Sequence, residues 1–374
     1  MSCFTACLRG KPSISELDQH ISEIRDSKLF TYKELKIATD DFSPANKIGE
    51  GGFGSVFKGK LRNGTVVAIK VLSAGSSQGV REFLTEITVI SGVQHENLVK
   101  LYGCCAEGDH RILVYGYLQN LSLAQTLLGR GTSGIQFNWK IRTKICSGIA
   151  RGLAFLHEEV IPHIVHRDIK ASNILLDRDL NPKISDFGLA KIFPASMTHV
   201  STRVAGTMGY LAPEYAVRGR LTRKADIYSF GILLLEIVSG RSNTNKRLPY
   251  EEQYLLLRMW KCYEEGDLIQ LVDTSMGGEF DVDEACKFLK VGLLCTQEMP
   301  KDRPPMTEVV KMLTGEIDLG DNQKISRPGL ISELISLRGR KQNISSAESS
   351  SSQNTTMSYA TPTFTSIDDR SAYR

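Results

Sequence analysis

The chain has 374 residues, 41% hydrophobic and 24% charged, which is typical of a folded globular protein and excludes a collagen-like or wholly disordered chain. The formal net charge of +4 is small and the basic residues are scattered, so we expect no nucleic-acid partner. Eight cysteines without CxxC pairs argue against a zinc module, and no segment approaches the roughly 18 apolar residues of a membrane span. Reduced thiols and a cytoplasmic location are therefore expected.

Residues 1–28 are predicted to form a flexible leader, followed by a short segment at 29–41 that precedes the first glycine-rich motif. Ser2 excludes N-myristoylation, which requires glycine at that position. Cys3 and Cys7 lie beside a small basic patch and are candidate palmitoylation sites, although two ordinary cysteines in a loose leader explain them equally well. Acylation there would associate the chain with a membrane.

The next segment, residues 42–116, alternates like a sheet. A glycine-rich turn, an alternating strand, the hairpin signal Asn63-Gly64 and a β-branched strand follow one another. Helical spacing predicts a helix at Val80–Ser91, and strand composition returns at Leu98–Cys105 and Arg111–Tyr117. We predict a small α+β lobe of five antiparallel strands and one helix.

Helical patterns dominate from residue 119 to 316, most clearly at Trp139–His157, where apolar residues recur at close to 3.6-residue spacing. This predicts a larger, mostly helical second lobe. Residues 317–374 form a tail, which becomes dense in serine and threonine from about 343 and has too few apolar residues to repay the entropy of ordering.

The first chemical signal is a glycine-rich segment that matches G-x-G-x-x-G-x-V, in which missing Cβ atoms let backbone N–H groups approach phosphate oxygens. Its residues are Ile48, Gly49, Glu50, Gly51, Gly52, Phe53, Gly54, Ser55 and Val56. A Rossmann fingerprint would open a helix, whereas a strand and a hairpin follow here. A plain glycine-rich β-turn remains an alternative for this motif alone.

A lysine follows in the next strand, at the end of Val67-Ala68-Ile69-Lys70. From there the Lys70 ammonium can reach α- and β-phosphates if an acid holds it, and Glu86 on the predicted helix is the candidate. The alternative for Lys70 is an edge lysine that deters aggregation, and its position one hairpin after the glycine loop decides between the two. Taken singly, Glu86 would more often be a solvated helix carboxylate.

The second signal is His166-Arg167-Asp168-Ile169-Lys170-Ala171-Ser172-Asn173, followed by Asp186-Phe187-Gly188. Phosphoryl transfer needs a carboxylate to orient the hydroxyl and take its proton, a cation near the γ-phosphate, and oxygen ligands for a metal. Asp168, then Lys170, then Asn173 with Asp186 supply these in turn. Each aspartate alone fits a turn or N-cap residue, but the ordered set of motifs is highly specific.

Together with Ala212-Pro213-Glu214, these motifs resemble the protein kinase signature set, in kinase order and over about residues 42–316. The residues ahead of the glycine loop and the segment Gly206–Tyr215 are similar to those of plant receptor-like kinases, relatives of the interleukin-1-receptor-associated and Pelle kinases. The chain thus resembles a receptor-like cytoplasmic kinase, with similarity to the cold-responsive protein kinase subgroup.

The resemblance implies an α+β bilobal protein kinase fold, with ATP and Mg²⁺ as cofactors and Mn²⁺ as a substitute. It also implies an adenine site that includes Ala68, the gatekeeper Tyr115, and backbone groups of Gly116 and Leu118. Relatives usually carry glutamate at the position of Gly116. Asp226 is expected to brace the catalytic loop, Arg303 to pair with Glu214, Lys170 to mark serine/threonine specificity, and Thr207 to lie near the substrate hydroxyl.

The resemblance further implies regulation by an upstream receptor kinase, protein substrates phosphorylated on serine or threonine, and a position at the inner face of the plasma membrane. Candidate phosphorylation sites lie between Asp186 and Glu214, where a phosphate could pair with Arg167: they are Thr198, Ser201, Thr202 and Thr207. The rival functions are a pseudokinase scaffold, which would lack a catalytic residue, and an oxidoreductase, which would need an acid about 20 positions after a strand-to-helix glycine loop.

Overall fold

The computed structural model describes residues 28–51, 54–73, 77–129, 134–194, 197–249, 252–320, 324–329 and 363–365. The chain forms two compact units. The first runs to Gln119 and also includes Asp186–Ala190; the second comprises Asn120–Ser185 and the chain from Lys191 onward. The leader cysteines Cys3 and Cys7, and Gly52 and Phe53 of the glycine loop, lie outside the described residues.

The first unit is built on a six-stranded sheet with the order β1-β5-β6-β4-β3-β2. Its strands are β1 (Lys28–Leu29), β2 (Lys47–Gly51), β3 (Gly54–Lys60), β4 (Val66–Leu72), β5 (Leu101–Cys105) and β6 (Arg111–Gly116). The pairs among β2 to β6 are antiparallel, whereas β1 pairs with β5 in parallel. Two helices accompany the sheet, α1 (Tyr32–Ala38) and α2 (Ser77–Ile90).

The two faces of this sheet differ because side chains alternate along each strand. In β4, Val67 and Ile69 are buried in an apolar cluster that also contains Phe30 and Leu35. Ala68 and Lys70, which alternate with them along the strand, are half-buried on the opposite face. One face of the sheet is therefore packed against the segment that begins the described chain, and the other carries the lysine of interest.

The segment around α1 is integrated into the sheet by backbone bonds as well as by packing. The N–H of Phe30 donates to the carbonyl of Cys104 over 2.9 Å. Helix α1 begins at a capping box, in which the Thr31 hydroxyl accepts from the Glu34 N–H and the Glu34 carboxylate accepts from the Thr31 N–H. The expectation of five antiparallel strands thus needs a correction: a sixth, parallel strand comes from the segment predicted to precede the domain.

The second unit is mostly helical, as predicted. Its helices are α3 (Leu123–Thr126), α4 (Trp139–Ala154), α5 (Pro213–Arg218), α6 (Arg223–Ser239), α7 (Leu255–Glu264), α8 (Val282–Cys295) and α9 (Met306–Thr314). The predicted helix at Trp139–His157 ends earlier than expected, because its last turn widens into a π-helical turn at Phe155–Glu159. Among the described residues, none of the helices has the length and apolar character needed to cross a bilayer.

Helix α6 forms the centre of the second unit, where every residue from Ala225 to Ser239 is buried. It packs against α8, and the two backbones approach closely at a pair of glycines. A Cβ on Gly231 would lie 2.9 Å from the carbonyl oxygen of Gly292, and one on Gly292 would lie 2.5 Å from a Leu235 methyl group. The crossing therefore requires glycine at both positions.

Short strands complete the second unit. They are β7 (Asn120–Ser122), β8 (His163–Val165), β9 (Ile174–Leu176), β10 (Pro182–Ile184), β11 (Lys191–Phe193), β12 (Val200–Ser201), β13 (Ala205–Thr207), β14 (Arg220–Leu221) and β15 (Thr363–Thr365). They form one sheet ordered β10-β9-β7 and the pairs β11-β8, β12-β14 and β13-β15. Strand β15 lies inside the segment predicted to be disordered, so that prediction is wrong for residues 363–365. The α+β class with two lobes is confirmed.

Candidate active site

Lys70 of β4 lies at the centre of an acidic pair within the first unit. Its Nζ is 2.6 Å from Oε1 of Glu86, which α2 supplies, and 2.8 Å from Oδ1 of Asp186. The Glu86 side chain is fully buried and that of Lys70 is 15% exposed. The structure thus brings together three residues that the sequence placed at positions 70, 86 and 186.

The electrostatics of this cluster follow from burial and opposite charge. Burial would lower the pKa of Lys70, but the carboxylates of Asp186 and Glu86 outweigh it, so the pKa lies above its usual range and the group stays an ammonium. Burial raises the pKa of Glu86 to about 7, against the lowering effect of the Lys70 ammonium. Glu86 also accepts a hydrogen bond from the hydroxyl of Tyr115, a contact that the sequence did not predict.

The segment Asp186-Phe187-Gly188 is held against α2 in the first unit. Asp186 has a positive φ of 68°, an uncommon conformation for a residue with a side chain. Phe187 is fully buried, and a Cβ on Gly188 would come within 3.1 Å of the Glu82 side chain. The backbone therefore turns sharply at Asp186, and this turn places its carboxylate beside Lys70.

The described residues of the glycine loop lie in β2 and β3, which pair antiparallel. Gly54 has a φ of 144°, and a Cβ there would lie 2.0 Å from the Val71 carbonyl oxygen, so only glycine fits. Val56 is in register with Lys70, and Ala68 with Tyr115. Because paired residues share a face of a sheet, Val56 and Ala68 provide apolar surface on the same face as the lysine. Ile48, Gly49, Glu50, Gly51 and Ser55 lie in β2 and β3.

The predicted hinge begins where β6 ends. The N–H of Gly116 donates to the carbonyl of Lys100 over 2.9 Å. Because this N–H is already bonded, the backbone group that Gly116 can offer to a ligand is its carbonyl. Leu118, the other predicted hinge residue, follows two positions later. The sequence had assigned backbone groups of both residues to this role without distinguishing them.

The second unit contains the predicted catalytic loop. The carboxylate of Asp168 is buried and accepts a 2.7 Å hydrogen bond from the Thr207 hydroxyl. Nζ of Lys170 lies 2.8 Å from Oδ2 of Asp168 and donates to the Thr207 hydroxyl over 2.8 Å. Nδ2 of Asn173 donates to Oδ2 of Asp168 over 3.1 Å. Three residues that the sequence had assigned to this site, Lys170, Asn173 and Thr207, therefore converge on the carboxylate of Asp168.

Asp226 of helix α6 is hydrogen-bonded to the backbone of this loop. Its carboxylate accepts the backbone N–H of His166 over 2.7 Å and that of Arg167 over 2.8 Å, and Nε2 of His157 lies 2.9 Å away. Burial would raise the pKa of Asp226, but the hydrogen bond with His157 and its charge outweigh burial and keep the pKa below its usual value. An ionised carboxylate can accept both backbone donors, so the loop is fixed to the most buried helix of the unit.

Arg167 lies in a strained conformation, with a φ of 71°. Its guanidinium donates to the Tyr215 hydroxyl over 2.6 Å and to the carbonyl of Arg203 over 2.8 Å. Of the candidate phosphorylation sites, Ser201 and Thr198 are exposed, Thr202 is half-buried and Thr207 is buried. The link from Arg167 to Tyr215 was missed, because no motif joins residues 48 positions apart.

Two further contacts fix the segment that ends at Glu214. Arg303 makes a bidentate pair with Glu214, at 2.8 Å and 2.9 Å. Tyr210 donates from its hydroxyl to the buried carboxylate of Glu236 over 2.7 Å, and Glu236 also accepts the Asn243 N–H. Burial raises the pKa of Glu236 to about 8. The pair with Arg303 is the one that the sequence led us to expect, whereas Glu236 was not singled out.

Comparison with known proteins gives a consistent result. The profile of the family described as protein tyrosine and serine/threonine kinase matches residues 42–313. The chain is 63% identical, over its whole length and 96% of the relative's, to cold-responsive protein kinase 1 of Arabidopsis thaliana. It is 55% identical over 81% of its length to a probable LRR receptor-like serine/threonine-protein kinase of the same plant. A second probable leucine-rich repeat receptor-like serine/threonine-protein kinase of this plant is also 55% identical, over 83% of the chain. The chain spans about 30% of the length of these receptor-like relatives.

Proposed function

Because the chain belongs to the protein tyrosine and serine/threonine kinase family, we propose that it transfers the γ-phosphate of ATP to serine and threonine hydroxyls of other proteins in plant signalling. The observation that carries this proposal is the convergence of Lys170, Thr207 and Asn173 on the carboxylate of Asp168. A hydroxyl that approached this carboxylate in place of Thr207 would meet an acceptor for its proton and a cation beside it.

In this reaction, Asp168 orients the substrate hydroxyl and accepts its proton while the hydroxyl oxygen bonds to the γ-phosphorus and ADP leaves. Lys170 offsets the negative charge that develops on the transferred group. Since its ammonium also contacts the Thr207 hydroxyl, Lys170 and Thr207 together position the entering group. These roles require the oxygen of Asp168 within about 3 Å of the substrate hydroxyl.

In the first unit, Lys70 is the residue that meets the α- and β-phosphates, and Glu86 keeps its ammonium in place. The permanent positive charge of Lys70 suits a polyanion. The adenine would lie on the apolar face formed by Val56 and Ala68, with the Gly116 carbonyl as its acceptor. Tyr115, through its bond to Glu86, limits the space beside the adenine.

The metal ligands proposed here are Asp186 and Asn173. Carboxylate and amide oxygens are the ligands that Mg²⁺ prefers, and Mn²⁺ accepts the same set. The side-chain amide nitrogen of Asn173 donates to Asp168, whereas its amide oxygen lies 3.5 Å from the Ser172 hydroxyl and is not used by Asp168. When bound, the ion neutralises phosphate charge.

A pseudokinase scaffold is the second candidate, since a kinase fold can signal by binding alone. It predicts that a residue of the catalytic set is absent from the sequence. Lys70, Glu86, Asp168, Asn173 and Asp186 are all present. The pairing of Lys70 with Glu86 and the bonds to Asp168 favour the enzyme over the scaffold.

Regulation and location complete the proposal. We propose that phosphorylation of the loop between Asp186 and Glu214 raises activity, and that an upstream receptor kinase carries out or triggers this phosphorylation. We also propose that acylated Cys3 and Cys7 hold the chain at the inner face of the plasma membrane.

The test is a phosphorylation assay with the full chain, Mg²⁺-ATP and a library of peptides that contain serine, threonine or tyrosine. We expect transfer to serine and threonine. Asp168→Asn should lower it about 10²–10⁴-fold, the usual contribution of a general base, and Lys70→Met should lower it as well. Exposed residues of the same type serve as controls, Asp179→Asn and Lys60→Met, which should retain activity.

Two outcomes would contradict the proposal. Robust transfer by Asp168→Asn would exclude the mechanism. No transfer at all by a folded, phosphorylated wild-type chain would favour the scaffold.

A further inference from the structure

Strand β15 is formed by three residues of the C-terminal tail and pairs with β13, the strand that ends at Thr207. The pairing is parallel, with Thr363 opposite Ala205, Phe364 opposite Gly206 and Thr365 opposite Thr207. Within the described residues, β13 and β15 form a two-stranded sheet of their own. Residues 363–365 of the tail therefore occupy an edge of β13 with which another extended segment could pair.

The position of β13 gives this pairing a functional meaning. Thr207, its last residue, donates to the carboxylate of Asp168. Paired strands lie about 4.8 Å apart, so the tail backbone runs one strand spacing from the residue that touches the proposed base. A protein substrate must bring its hydroxyl to within about 3 Å of the same carboxylate. A substrate hydroxyl at this carboxylate would therefore lie close to the strand with which the tail pairs.

We propose that β13 is a docking edge for an extended peptide segment and that the chain's own residues 363–365 occupy it as a competitor of protein substrates. This inference rests on the proposed kinase function and adds its regulation. Recognition by strand addition supplies main-chain hydrogen bonds and needs little sequence information. The β-branched and aromatic residues Thr363, Phe364 and Thr365 suit an added strand.

The tether makes a three-residue contact effective. The 33 residues at 330–362 connect the last residue of the preceding described segment to β15 and could span up to roughly 110 Å if fully extended, far more than a domain of this size requires. A tether of moderate length gives an effective concentration on the order of mM. A strand that binds with a dissociation constant of about 1 mM would thus occupy β13 about half of the time.

Competition of this kind has a defined kinetic signature. The apparent KM for a protein substrate rises by the factor one plus the ratio of effective concentration to dissociation constant, which is about two- to tenfold for ratios between about one and nine. The KM for ATP and the kcat stay unchanged, because the tail occupies only the substrate edge. Release of the tail should therefore lower the KM for the protein substrate and leave the KM for ATP and the kcat unchanged.

The experiment uses the full chain with Phe364→Pro, since proline lacks the N–H and fixes φ, so it disrupts strand pairing. The matched control is Ser351→Pro, the same substitution in the same tail outside β15. We expect Phe364→Pro to lower the KM for a protein substrate about two- to tenfold, with the control unchanged. A synthetic peptide of residues 358–370, added at mM concentration to Phe364→Pro, should raise that KM again.

Hydrogen exchange provides a readout that does not depend on catalysis. The amides of 205–207 should exchange faster in Phe364→Pro than in the wild type and in Ser351→Pro. Equal exchange and equal KM in all three chains would overturn the docking. Phosphate found on Thr363 or Thr365, with no change in KM, would make the tail a substrate and also overturn it. If no chain transfers phosphate but the exchange difference persists, the docking stands and the kinase function fails.

Discussion

At the scale of single residues, Arg167 connects the catalytic loop to the loop proposed to be phosphorylated. The acceptors of its guanidinium include two neutral groups, the Tyr215 hydroxyl and the Arg203 carbonyl. A phosphate is a stronger acceptor, because charge-assisted hydrogen bonds are roughly twice as strong as neutral ones. A phosphate within reach would therefore reorganise these contacts.

Ser201 is the residue best placed to carry that phosphate. It is exposed on β12 and in register with the exposed Arg220 of β14, and the neighbouring Thr202 N–H donates to the Gly219 carbonyl. Thr207 is buried against Asp168, so its hydroxyl is less accessible to a second kinase molecule. We therefore expect phosphate on Ser201 in active preparations, paired with Arg220 and neighbouring arginines.

The prediction is that Ser201→Ala lowers kcat about tenfold, the effect of losing one charge-assisted hydrogen bond worth about 1.4 kcal/mol. Arg220→Gln should have a similar effect, while Arg178→Gln, an exposed arginine elsewhere in the unit, should not. Mass spectrometry of the active wild type provides the direct check. Fully active enzyme without phosphate on Ser201 would show that this residue is not the switch.

At the scale of elements, the segment at residues 28–42 belongs to the first unit even though the family profile begins at residue 42. Its two buried apolar residues, Phe30 and Leu35, complete the cluster on one face of the sheet. The ring of Tyr32 stacks on that of His110, with centroids 3.7 Å apart. Because Lys70 lies on the opposite face of the same strand, this packing supports the sheet that positions the lysine.

We predict that Leu35→Ala lowers the free energy of unfolding by about 2–5 kcal/mol, the usual cost of emptying a buried leucine site. Leu35 is fully buried, whereas Ile37 on the same helix is 57% exposed, so Ile37→Ala is the matched control and should change stability by less than about 0.5 kcal/mol. Urea unfolding followed by circular dichroism measures both. Equal stability of the two variants would mean that α1 is not part of the cooperative core.

The same elements show what the sequence could and could not predict. Lys70, Asp168 and Asp186 were identified because phosphate, metal and proton chemistry fixes the residue type at fixed spacing. Strand β1 has only two residues, and its parallel partner is about 75 positions away, so no local pattern announces it. The pairing of β15 with β13 is likewise non-local, and the polar composition around it predicts disorder.

At the scale of the whole molecule, we propose that the leader and the tail decide where the kinase acts and which proteins it phosphorylates. The identity to an Arabidopsis kinase extends over the full chain, so it includes the leader and the tail. The tail has a proposed role at β13. In the leader, the residues that could bind a membrane are Cys3 and Cys7, as candidate acylation sites, together with the nearby basic residues Arg9 and Lys11.

Two thioester-linked acyl chains would hold this molecule on a bilayer, because each buried CH₂ contributes about 0.8 kcal/mol and one chain alone gives only marginal binding. The basic pair adds a weak attraction to anionic lipid. We therefore predict that the wild type fractionates with plasma membranes and is released by hydroxylamine, which cleaves thioesters. Cys3→Ser/Cys7→Ser should be found in the cytosolic fraction, each single variant should be divided between fractions, and Cys286→Ser, which removes a half-buried thiol of the second unit, should behave as the wild type. If the double variant distributes as the wild type does, the leader is not a lipid anchor, and any membrane association of this kinase depends on its protein partners.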